Sequence, residues 1–171
     1  MLLKIVGSLI VFVSSTLLGY YHAQTYAQRP QELKTLQMLL QIFENEISFL
    51  SNVLQDAFQK VSSCTDSSVA VFFEAAVENL KEGMCADEAW TKAVKENISA
   101  TSLNSEDEVI IISFGKMLGS SDLEGQIKNI RLTVNQLRIQ EQKAEELRSK
   151  NEKMYKNLGV LFGLAIIILL F

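Results

Sequence analysis

The two ends of this chain are apolar, and all 20 Asp and Glu residues fall between Glu32 and Glu152. From Ile5 to Tyr21 the apolar run is interrupted only by Gly7, Ser8, Ser14, Ser15, Thr16 and Gly19. Such residues are tolerated in a membrane helix, because a hydroxyl bonds back to the backbone. Tyr20, Tyr21 and Tyr26 stand where an aromatic belt meets the interface, so residues 1–27 read as an N-terminal transmembrane anchor. A cleaved signal peptide is the rival reading, with Lys4 as its charged start and Thr25-Tyr26-Ala27 as a small-x-small site. At the other end, Leu158 to Phe171 contains no polar residue. As a helix those residues reach about 21 Å against roughly 30 Å of hydrocarbon. A span at 157–171 therefore recruits Met154, Tyr155 and Asn157, with Lys153 and Lys156 snorkelling to the interface. An interfacial stub is the alternative, but this segment has no polar face to lie against water.

Two spans place both termini on one side. The inner flanks carry Arg29, Lys34, Lys143, Arg148, Lys150, Lys153 and Lys156, and the outer tails offer Lys4 alone. The positive-inside bias then predicts a cytosolic middle domain, residues 28–156, on the cell membrane. That middle holds 15 Lys and Arg (all but Lys4) against 20 acidic residues, a net of −5. Nucleic acid is excluded as a partner, since phosphates need a basic footprint. Residues 30–124 carry 6 basic and 16 acidic residues, whereas residues 125–157 carry 8 and 4.

The interior reads as helix throughout, with Pro30 the single proline. Pro30 is placed as a first helical residue, with Glu32 in the first turn. Leu33, Leu36, Leu40, Phe43, Ile47 and Leu50 then step 3-4-3-4-3, the stripe of a packed helix. Ser51-Asn52 breaks it, and Leu54, Phe58 and Val61 form the inner face of a second helix. Asp66 or Ser67 is the candidate cap for a third, lined by Val69, Phe72, Phe73, Ala76 and Leu80 and stopped by Gly83. Trp90 and Val94 face inward on a fourth. Asn104 or Ser105 caps a fifth, whose run from Val109 to Ile112 predicts a central helix buried all round. Gly119-Ser120-Ser121-Asp122 turns into the last helix, which packs through Ile127, Ile130, Val134 and Leu137 and then becomes a polar stalk. The expected fold is all-α: an antiparallel bundle of about six helices flanked by transmembrane helices.

Little in the sequence can do chemistry. Gly115-Lys116 lacks the glycines of a phosphate loop. His22 stands alone at the membrane edge, so neither a serine triad nor a His/Cys zinc site can be built, and no cofactor is expected. Cys64 and Cys85 are too few for a disulfide framework and read as small core fillers in a reducing compartment. Glu44 and Glu46, two apart on a helix, point about 200° away from each other and form no carboxylate dyad. Glu46 lies close enough to the packed stripe beside Ile47 to accept bonds from another helix's N-terminus, the alternative being a solvated face.

Several stretches in order carry a resemblance. They are Tyr20 after the first span, Arg29-Pro30, Glu44-Asn45-Glu46-Ile47, Ala89-Trp90, the turn Leu118 to Asp122 with Gln126, Lys128 and Arg131, and Lys153 to Gly159. Together they resemble the stage III sporulation protein AB family of endospore-forming bacteria over nearly the whole length. The chain departs at Ser51-Asn52-Val53, where the family pattern has proline. The resemblance implies a domain like those of the inner-membrane platform protein of type II secretion machines. It also implies a non-enzymatic place in the channel complex between mother cell and forespore, at the outer forespore membrane. The partners so implied are the assembly's cytosolic ATPase (stage III sporulation protein AA), its other membrane components and lipid. Glu44, Glu46, Gly119, Ser121, Asp122, Gln126 and Arg131 are the candidate partner-binding residues. A self-assembling structural protein and a two-span regulator are the competing classes.

Overall fold

The computed structural model describes residues 2–50, 54–119 and 122–170, with only the backbone described for most of 2–26 and 152–170. Six α-helices occur among them, with no strand: α1 (Leu2–Leu50), α2 (Leu54–Ser62), α3 (Val71–Lys81), α4 (Ala86–Asn97), α5 (Ser105–Gly115) and α6 (Leu123–Leu170). A 3₁₀ turn, Ile98–Ala100, follows α4. The chain forms two compact units, Met1–Gln28 with Lys143–Phe171, and Arg29–Gln142.

In the larger unit the predicted stripes are the core. Leu33, Leu36, Leu40, Phe43 and Ile47 of α1 are buried, as are Phe58 and Val61 of α2 and Phe72, Phe73 and Ala76 of α3. Trp90 and Val94 of α4, with Ile130, Val134 and Leu137 of α6, complete it. At its centre Phe43 stacks on Phe58 at 4.9 Å, and Trp90 stacks on Phe58 at 5.4 Å. Phe73 and Phe114 meet Trp90 edge-on at 4.9 and 5.2 Å, the geometry that ring quadrupoles favour. The indole N–H donates to the Ile111 carbonyl at 2.8 Å, so the one polar atom of Trp90 is satisfied in the core.

Helices α1 and α6 run antiparallel here. Gln37 meets Glu141 and Glu44 meets Arg131, so the later position on α1 pairs with the earlier one on α6.

Several expectations are corrected. Pro30 does not start a helix; it is buried inside the 49-residue α1, so the N-terminal segment and the first bundle helix are one element. Proline removes a single interior hydrogen bond, and the packed stripe on its C-terminal side outweighs that loss. α5 is not buried all round: Asp107, Ile111, Phe114 and Gly115 form its inner face, while Val109 is 65% exposed. It ends at Gly115, with residues 116–119 in a turn. Beyond Leu137, α6 still buries Gln140 and Ala144, continuing the stripe with a polar and a small side chain. Both cysteines are exposed, Cys64 in the turn after α2 and Cys85 as the extended residue before α4.

Capping matches the reading more closely. Asn104 and Asp107 form a reciprocal capping box, and Gly83 closes α3 at φ +89°. Neither Asp66 nor Ser67 caps α3, whose N-cap is Ala70 without a side-chain cap; the Ser67 hydroxyl instead accepts from the Ala70 amide in the turn before it. The break at Ser51-Asn52 lies outside the described residues. Among those residues no helix is long and apolar enough to cross a membrane; most side chains of the two anchor readings lie outside that set.

Candidate partner-binding site

The candidate residues fall into three places. The first is the turn into α6. Leu118 is buried, which anchors the turn, and Gly119 then adopts φ +74°, a backbone state that side chains rarely allow. Asp122 is the N-cap: Oδ1 accepts from the Gly125 amide at 2.9 Å, and its carbonyl accepts from the Gln126 amide at 2.9 Å. Asn129 then donates to the Phe114 carbonyl at 3.0 Å, tying the start of α6 to the last turn of α5. Asp122 is exposed, so a capping carboxylate is displayed at the start of α6. Ser121 lies outside the described residues.

The second place is the α1–α6 seam. Arg131 Nε donates to Glu44 Oε1 at 2.7 Å, although nothing in the sequence pairs them across 87 positions. Arg131 remains 69% exposed, so this ion pair is a surface feature of small energetic weight. It sits nine residues along α6 from Asp122, about 14 Å at helical rise.

Glu46 is the third place, and it faces elsewhere. It is buried against α2, where Lys60 reaches Oε1 at 2.7 Å, while Oε2 is buried without a hydrogen-bond partner. The acceptor role expected of Glu46 is therefore real, but its donor is an ammonium rather than a helix end. Glu44 and Glu46 thus serve different neighbours, as their spacing requires.

Sequence reasoning missed a stronger polar centre. Asp107 is fully buried, and its carboxylate accepts from Arg29 Nε at 2.8 Å, from Arg29 Nη2 at 3.0 Å and from the Asn104 amide at 2.9 Å. Arg29 also donates to Gln140, whose amide donates on to Glu106. Bidentate geometry and a full set of partners are what make a buried ion pair tolerable. The capping box was readable at Asn104, but Arg29 gave no local sign of reaching α5. Glu32 acts similarly, accepting from the Ser68 hydroxyl at 2.8 Å and the Ser102 amide at 2.6 Å, and so holds two loops.

Among the described residues no group of three His, Cys, Asp or Glu side chains could hold a metal ion. Cys85 is exposed, yet hydrogen bonds with Asp87 and Glu88 push its thiol up to about 11. The same thiol holds Asp87 below the usual carboxylate range. That thiol is a poor nucleophile at neutral pH.

A family model described as stage III sporulation protein AB matches residues 4–171. The chain belongs to that family. The stage III sporulation protein AB of Bacillus subtilis (strain 168) is 34% identical over 170 residues, covering 99% of each chain. A solved structure of a stage III sporulation protein AB superimposes with a TM-score of 0.68 at 28% identity, over 72% of this chain and 98% of that one. Membership makes this a sporulation protein of a family named for a developmental stage, not for a reaction.

Proposed function

We propose that this stage III sporulation protein AB relative is a non-enzymatic adaptor of the channel complex between mother cell and forespore. It docks the assembly's cytosolic ATPase on a membrane-anchored helical bundle. The observation that carries the reading is Asp122 at the start of α6, an exposed carboxylate held by the Gly125 amide. Loop residues held by a rigid scaffold are the usual carriers of recognition. Glu44 of α1 and Arg131 of α6 offer a second, separate charged place, and the buried Arg29–Asp107 pair ties the helices of the bundle together.

Anchoring is the second half of the proposal. The uncharged stretches at both ends insert as helices, and the seven flanking Lys and Arg keep the bundle cytosolic at the outer forespore membrane. Affinity purification of the full chain from sporulating cells tests the whole. The ATPase and other membrane components are expected to co-purify, and Asp122→Ser is expected to lose the ATPase while the chain stays in the membrane fraction. Recovery of the chain from membranes with no ATPase, but as a large homo-oligomer, would move the account to a self-assembling structural protein.

A further inference from the structure

Two helix faces in the larger unit carry opposite charge and are each left to solvent. On α6, Lys128, Leu132, Asn135 and Ile139 stand at i, i+4, i+7 and i+11, one face of a helix, flanked by Arg138 and by Arg131, which is paired with Glu44. All six are exposed, Leu132 at 56% and Ile139 at 55%, and no acidic residue occurs from Gly125 to Gln140. Among the described residues neither Lys128 nor Arg138 pairs with a carboxylate. On α3 and its C-cap, Val71, Glu74, Glu78 and Glu82 stand at i, i+3, i+7 and i+11 and are also exposed. Like charges four apart disfavour a helix, and Lys81 and Lys92 offset them in part, at 2.8 Å from Glu78 and 3.9 Å from Glu82.

We propose that the α6 face of one copy of this chain binds the α3 face of a second copy, in a head-to-tail contact. Each face is a full helix stripe with an apolar component, and their charges are opposite, which sets register and disfavours either face meeting itself. A contact between two different surfaces leaves one of each unfilled on every dimer. It therefore propagates to a ring or a row, unlike a two-fold contact, which stops at two. The polar rims make it a weak, salt-sensitive contact that takes effect when copies are concentrated on one membrane.

The test uses the full chain with Cys64→Ser and Cys85→Ser, reconstituted alone into lipid vesicles. One preparation carries Leu132→Cys and the other Glu74→Cys, and the mixture is oxidised at low ionic strength. A mixed disulfide dimer is expected. Adding Lys128→Glu and Arg138→Glu to the first preparation should reduce its yield about tenfold, from like-charge repulsion. Adding Glu78→Lys and Glu82→Lys to the second should restore it. No mixed dimer, no rescue by the reversed charges, or equal crosslinking of Leu132→Cys to itself would each overturn the proposal. So would quenching by brominated lipid of a fluorophore at Ile139→Cys, which would place this face on the bilayer.

Discussion

Replacing Gly115 with alanine should destabilise the bundle, although alanine is the better helix former. A methyl group at Gly115 would overlap Cδ1 of Trp90 and stand 2.9 Å from its Cγ. The indole cannot step aside freely, because Phe58, Phe73 and Phe114 hold it on three sides and the Ile111 carbonyl holds its N–H. Overpacking a tight core costs about 1–3 kcal/mol. A displaced indole would also strain a hydrogen bond worth about 1 kcal/mol. Against this, removing a helical glycine gains roughly 0.5–1 kcal/mol, less at the last residue of α5. The net is a loss of about 1–3 kcal/mol, read as a drop of roughly 4–8 °C per kcal/mol in the melting temperature of residues 29–142. Gly83→Ala is the control, since no atom lies within 4 Å of a methyl there and only the left-handed backbone at φ +89° is strained. That strain is worth about 1–2 kcal/mol. If Gly115→Ala leaves the melting temperature unchanged or raises it, helix propensity outweighs crowding and α4 and α5 do not approach as closely as described.

Asp107→Ala should cost about 3–5 kcal/mol in urea unfolding, because it strands Arg29, whose side chain is 13% exposed. Asp107→Ala combined with Arg29→Ala should cost much less than the sum of the two, as a double-mutant cycle would show. Cys85, in a chain carrying Cys64→Ser, should be alkylated by iodoacetamide at pH 8 at least about tenfold more slowly when folded than in urea. The raised thiol pKa keeps the thiolate scarce until pH approaches about 11, and Asp87→Asn should speed the folded reaction. Ser67→Cys in the same cysteine background should resist an impermeant maleimide in intact cells, and ready labelling there would place the bundle outside the cytosol.

The core was legible because its stripes are long and regular. Leu33 to Ile47 and Ile130 to Leu137 needed only helical period, and Asn104 and Gly83 announced their roles as a cap and a stop through local chemistry. Errors arose where a local rule met a long-range contact. Pro30 read as a helix start, but packing on its C-terminal side carries α1 through it. Val109 to Ile112 read as buried all round, because neighbours on the chain cannot show that only Ile111 points inward. The cysteines read as core by residue type, whereas both occupy loop positions next to helix ends. The candidate site was half legible: Asp122 as a cap follows from its turn, but Glu44 with Arg131 and Arg29 with Asp107 join residues 87 and 78 positions apart. No periodicity predicts such pairs.

The most direct measurement is binding of the purified ATPase to the full chain reconstituted in lipid nanodiscs, alongside the melting temperature of the bundle. Asp122→Ser keeps a capping oxygen for Gly125 and removes the charge. The adaptor account predicts saturable binding to the wild-type chain. It also predicts at least about tenfold weaker binding to Asp122→Ser, the loss of one charge-assisted contact, with the melting temperature nearly unchanged. Equal ATPase affinity for the two chains would make Asp122 a helix cap and nothing more, and absence of binding to the wild-type chain would contradict the account.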